Sequence, residues 1–173
     1  MQNRILVDTN ILLDFLQRRQ PYYEDACSIF RLCANKEFDA CIAAHSIPNL
    51  FYILRKDYIP EKRRNIIIKL CKIFYVVAID REKIISGLEN KEFSDFEDCL
   101  QMECAKEYGA DYIITRNLSD YVNSTIKAVT PAEYLKLTNK VVNVQEENIF
   151  NNAHTALDET GQLLREWNGN IKM

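Results

Sequence analysis

Glycine is scarce in this chain, with four in 173 residues. They form no cluster that could cradle a phosphate with backbone amides, which argues against the glycine-loop nucleotide binders and against phosphatase-like sites. Only two histidines are present, His45 and His154, and no cysteine pair has Cys-x-x-Cys spacing, so a zinc site lacks its usual ligands. The six cysteines, Cys27, Cys33, Cys41, Cys71, Cys99 and Cys104, lie mostly among apolar neighbours. They read as reduced, buried thiols of a cytoplasmic protein rather than a disulfide framework. No apolar run approaches ~18 residues, so no membrane span is expected. No basic segment leads into an apolar one at the N-terminus, so no secretory leader is expected either. Basic excess is missing as well: the net charge of −3 gives no global signature of nucleic-acid binding, though a local patch stays open.

What is present is an ordinary globular composition, 47% hydrophobic and 27% charged, in a length that supports one domain with a full core and an appendage. Arg4-Ile5-Leu6-Val7 is an apolar run without alternation, as expected of a strand buried on both faces of a parallel sheet. Asp8 ends it, and Thr9 or Asn10 can cap a helix over Ile11 to Leu16. Further helices are expected over Tyr22 to Ala34, from Ser46 to Arg55-Lys56, from Pro60, after Asp80 to Leu88, and over Phe96 to Tyr108, where Gly109 ends the last. Strands are expected at Phe38 to Ala43, Phe74 to Ile79, Tyr112 to Thr115 and Ile126 to Val129. Thr130-Pro131-Ala132-Glu133 reads as a capping box. This alternation predicts an α/β fold, a mainly parallel sheet of about five strands covered on both faces. A composition shift at Asn139 divides residues 1–138 from an amphipathic helical extension over 139–173, whose stripe includes Leu157, Leu164 and Trp167 and would pack on the domain or a second subunit.

Three acids share one place in this map. Asp8 follows the first strand, Asp120 follows the fourth by a short loop, and Asp98 lies in the first turn of the helix before the fourth. If the first and fourth strands are neighbours, all three meet at the carboxyl edge of the sheet, where such folds bind ligands. Asp95 and Glu97 flank Asp98. Carboxylates that close repel one another unless a cation lies among them, and hard oxygen donors favour Mg²⁺ or Mn²⁺. Such a site activates water and stabilises a leaving oxygen in phosphodiester cleavage. Taken singly, each acid also reads plainly: Asp8 as a helix cap, Asp95 and Asp98 as acids on a helix dipole, Asp120 as a loop residue. No serine, cysteine or histidine cluster points to a covalent nucleophile.

Val7-Asp8-Thr9-Asn10-Ile11-Leu12-Leu13-Asp14, Asp95-Phe96-Glu97-Asp98 with Ala105, and Ile113-Ile114-Thr115-Arg116-Asn117-Leu118-Ser119-Asp120-Tyr121 resemble three ordered blocks of the PIN domain family, in its bacterial VapC-like branch. The resemblance covers about residues 3 to 137. It implies a Rossmann-like three-layer α/β/α sheet fold, Mg²⁺- or Mn²⁺-dependent ribonuclease chemistry, an antitoxin partner in a bacterial toxin–antitoxin pair, and a homodimer. By position, Asp8, Asp98 and Asp120 would be the catalytic metal carboxylates. Thr9, Asn10, Thr115 and Asn117 would support them, and Asp95 would be a further acid. Arg116 is the candidate contact to RNA phosphate; Arg18, Arg19, Arg55, Lys56, Lys62, Arg63 and Arg64 are further cations, each of which also reads as solvated surface charge.

One residue departs from the family. PIN domains usually place a glutamate in the helix after the second strand, and here that position is Asn49. Asparagine offers an oxygen but no charge, so metal is expected to bind weakly and Asn49→Glu to tighten it. Asn49 also favours a second reading, a PIN-like module that binds RNA or protein without cleaving.

Overall fold

The computed structural model describes residues 3–138. Five strands alternate with seven helices: β1 Arg4–Val7, α1 Thr9–Leu16, α2 Tyr23–Ala34, β2 Asp39–Ala43, α3 Ser46–Ile53, α4 Pro60–Ile73, β3 Tyr75–Val77, α5 Arg81–Glu89, α6 Phe96–Tyr108, β4 Tyr112–Ile114, β5 Lys127–Val129 and α7 Pro131–Leu137. Two 3₁₀ turns, Leu54–Lys56 and Leu118–Tyr121, complete the described residues. All strands are parallel in the order β3-β2-β1-β4-β5. The expected neighbours β1 and β4 pair directly, at the centre.

Register explains both faces. Leu6 pairs with Cys41 on one side and Ile113 on the other. These three side chains join Met102, Cys104, Ala105 and Tyr108 of α6 in one buried cluster. The opposite face carries Ile5 and Tyr112. There the Tyr112 ring lies 5.5 Å from that of Tyr134 in α7, and Phe38 and Phe30 continue the layer. A sheet covered on both sides needs apolar strands, which β4 supplies and β1 supplies after its exposed Arg4.

Helix α1 is buried on almost every side, since only Asn10 among its eight residues is not classed as buried. Asp8 occupies its N-cap position but makes no capping bond, and neither Thr9 nor Asn10 caps it; both lie in its first turn with other partners. Ser46 was also expected to cap a helix. It is instead the first residue of α3, after His45, and its Oγ lies 2.8 Å from the buried Thr9 Oγ1, each hydroxyl satisfying the other. β3 is shorter than Phe74 to Ile79 because its last partner on β2 is Ala43, opposite Val77. The predicted caps at Asp80 and Thr130 form as read, the latter as a reciprocal capping box with Glu133. Gly109 ends α6 with φ of 71°, a conformation that side chains with a Cβ rarely adopt. Cys33, Cys41, Cys99 and Cys104 are buried as expected, but Cys71 is exposed, because α4 covers the sheet with Ile66, Leu70 and Ile73 and turns Cys71 outward. No helix among the described residues is long and apolar enough to cross a membrane. The extension expected over 139–173 lies outside the described residues.

Candidate functional site

Val7 pairs in register with Ile114, so the next residues, Asp8 and Thr115, leave the sheet side by side. The Asp8 amide still donates to Ile114 O at 3.0 Å, and the Thr115 amide to Val129 O at 3.0 Å. Asp8 is 4% exposed. Its Oδ2 accepts from Thr115 Oγ1 at 2.7 Å and Asn10 Nδ2 at 2.6 Å, and its Oδ1 from Gln101 Nε2 at 2.5 Å. Burial raises its pKa, opposed chiefly by the Thr115 and Gln101 bonds. Asn10 also donates to Thr115 Oγ1 and accepts from the Arg116 amide, and the Asn117 amide donates to that same threonine oxygen. The sequence blocks around residues 8–10 and 115–117 thus form one network. Thr9 acts differently, tying α1 to α3 through Ser46.

Asp98 is half-buried beside them. Tyr121 Oη donates to its Oδ1 at 3.1 Å. Burial, then the charge of Asp8, lift its pKa to about 7, and Asp95 and Asp120 push the same way. Asp120 is half-buried and accepts from Ser119 Oγ at 3.2 Å. Asp95 caps α6, its Oδ1 accepting from the amides of Glu97 and Asp98. The charges of Asp8, Asp95 and Asp120 therefore all bear on Asp98.

Asn49 reaches the same region from α3. Its Nδ2 donates to Glu97 Oε1 at 2.9 Å. His45 Nε2 lies 3.6 Å from that oxygen, but burial lowers the histidine to about 4, so it is neutral and the contact is not an ion pair at neutral pH.

Arg116 is a held cation at the rim of the site. Its Nε lies 2.9 Å from Oδ2 of Asp14, and its guanidinium stacks 4.3 Å over the Tyr22 ring. Asp14 is wholly buried, and burial raises its pKa even with Arg116 opposing. The pair is a charge contact, since the Nε–H is not aligned as a hydrogen bond to either Asp14 oxygen. Arg116→Ala leaves that carboxylate with only the weaker influence of Arg19 and is expected to cost about 2 kcal/mol of stability at neutral pH. This is below the usual penalty for breaking a buried pair, because the arginine is 25% exposed. Urea unfolding checks it; unchanged stability would mean the pair contributes nothing. Of the other basic candidates, Arg63 packs over Phe51 and donates to its carbonyl, while Arg55 stacks 3.5 Å over Tyr52, an exposed ring one helical turn beyond Asn49.

One residue of the site was not named from sequence, and three others were named without the role they take. Gln101, 1% exposed, holds Asp8, and its position one turn after Asp98 on the same helix face was a usable signal. Asp14 and Tyr121 lay inside the family-like blocks and Ser46 at an expected helix start, but their partners, Arg116, Asp98 and Thr9, are distant in sequence and were not readable.

Oxygen donors are what this site offers a cation. Among the described residues no three acids, histidines or cysteines converge tightly enough to grip one ion as they stand. The donor set still fits a hard divalent ion: carboxylates that destabilise one another, and a buried Gln101 Oε1 that meets no donor.

A PIN domain family model matches residues 4–119, more than half of the chain. The chain belongs to the PIN domain family. Ribonuclease VapC1 of Aquifex aeolicus (strain VF5) is 25% identical over 139 residues, covering 79% of this chain and 96% of that protein. A solved structure of FitAB bound to the IR36 DNA fragment superposes with a TM-score of 0.57 at 16% identity, over 73% of this chain and 94% of that one. A toxin–antitoxin complex from Klebsiella pneumoniae gives 0.54 at 20% identity, over 73% and 97%. The two structures establish the fold, and the central sheet with Asp8 at its edge agrees with it.

Proposed function

We propose that this PIN-domain chain is a divalent-metal-dependent endoribonuclease and the toxin partner of an antitoxin protein. The observation that carries the reading is Asp8: a buried carboxylate held by three donors at the end of the central strand, with Asp98 beside it raised by burial and then by the charge of Asp8. Asp8, Asp98 and Asp120 would hold Mg²⁺ or Mn²⁺, which supplies an activated water and neutralises charge on the cleaved phosphate. Thr115, Asn10 and Gln101 fix the Asp8 carboxylate so that it is positioned before a cation arrives. Thr9 keeps α3 against α1, Asn117 braces Thr115 through its amide, and Asp95 fixes the first turn of α6. Arg116, set by Asp14 and Tyr22, is placed to meet phosphate. The antitoxin relation rests on the toxin–antitoxin complexes of the same fold. A homodimer goes with exposed Ile59 and Ile68 around α4 and with the extension at 139–173. The test is cleavage of varied RNAs with Mn²⁺, Mg²⁺ or chelator: cleavage is expected with either metal, more with Mn²⁺, which binds oxygen ligands more tightly, and none with chelator. If wild type cleaves none of them in Mn²⁺, the reading passes to the RNA- or protein-binding module, which the uncharged Asn49 favours.

A further inference from the structure

We propose that Glu97 supplies the carboxylate that position 49 lacks, so that the fourth acid of the metal centre comes from α6 instead of α3. This rests on the metal-centre reading above and adds a residue to it.

Two neighbouring residues of a helix point about 100° apart. The Asp95 cap fixes the first turn of α6, and the acids at 97 and 98 then diverge. Asp98 turns to Tyr121, on the segment that follows β4. Glu97 turns to Asn49 on α3, 48 positions away in sequence. Glu97 is exposed, yet it does more than face the helix dipole, since its carboxylate accepts a bond from another helix. It is drawn across to the helix where the family carries its acid.

Asn49 is the residue type that can draw it. An amide nitrogen donates to a carboxylate, whereas a second carboxylate at 2.9 Å would repel it. The bond uses Oε1 alone. The substitution at 49 thus moves an acid instead of deleting one, and the oxygen donors around the crevice become Asp8, Asp98, Asp120 and Glu97.

Calorimetric titration of the full chain with MnCl₂ tests this on five proteins: wild type, Asp8→Asn, Glu97→Gln, Asn49→Glu, and the exchange Asn49→Glu with Glu97→Gln. Glu97→Gln is expected to weaken Mn²⁺ about tenfold, with an unchanged melting temperature in the absence of metal. Asn49→Glu alone, which the sequence suggests should tighten binding, should gain nothing here, since its carboxylate faces Glu97. The exchange should return to within about threefold of wild type. Glu97→Gln titrating like wild type while Asp8→Asn loses binding overturns the role of Glu97 and leaves the metal centre standing. A weakened Glu97→Gln that the exchange fails to rescue also overturns it. Binding by Asp8→Asn equal to wild type, or none by wild type, removes the metal centre and this proposal together.

Discussion

Asp8→Asn is expected to lower RNA cleavage on the order of 10³-fold, as loss of about 4 kcal/mol of transition-state stabilisation, while the protein stays folded. The exchange is close to isosteric, so β1 and its register stay as they are. What changes is the carboxylate. Gln101 and Asn10 present amide nitrogens and Thr115 a hydroxyl to it, all as donors. An asparagine turns one acceptor oxygen into an NH₂ group, so at least one donor must face another donor or rotate away. Against that loss stands a gain: the buried charge, whose burial raises the pKa of Asp8, is gone. The two terms oppose, so stability should move little while activity collapses. Cleavage rates measured beside a urea melt separate them, and an Asp8→Asn enzyme cutting at the wild-type rate would refute the metal-nuclease reading.

The second large effect is a split between stability and activity at Asp98. Its pKa stands at about 7, above that of an unfolded aspartate, so between roughly pH 4 and pH 7 the native state holds a proton that the unfolded chain has released. The native state binds more protons there, so stability falls as pH rises through that window and stays low above it. Asp98→Asn removes the ionisation and should stabilise the metal-free protein at pH 8 by about 1–2 kcal/mol, a figure reduced for partial exposure and screening. At pH 4 the advantage should vanish, and cleavage by the variant should be abolished. Thermal melts of both proteins between pH 4 and pH 8 in chelator give the answer. A variant no more stable than wild type at pH 8 would show that Asp98 is not strained by its neighbours. Added Mn²⁺ should flatten the wild-type slope, because a bound cation favours the ionised carboxylate and so lowers a pKa that burial and then the neighbouring charges raise.

The fold was largely legible from the chain. Apolar strands without alternation, Gly109 and the Thr130–Glu133 box are local signals, and each produced the element it announced. The placement of Asp8, Asp98 and Asp120 at one edge followed from strand order, which an alternating chain limits to few arrangements. Side-chain partnership was not legible. Nothing near Asn49 says that its amide meets Glu97, so in sequence it reads as a charge removed; nothing near Arg116 says that Asp14 lies buried behind it. Ser46 looked like a cap because serine before a helix usually is one, and the demand of the buried Thr9 hydroxyl outweighed that preference.

The order of the sheet has a consequence for the chain as it is made. β1 lies at the middle but is the first strand to leave the ribosome, and two of the groups that hold Asp8, Gln101 and Thr115, come 93 and 107 residues later. A nascent chain that stops before β4 has β1 as an open edge and Asp8 without those donors. Contacts of that span close last, after the local helices have formed. A prematurely ended translation product therefore carries Asp8 but not the donors that hold it, and on the proposed nuclease reading a cell would be spared active fragments of the protein.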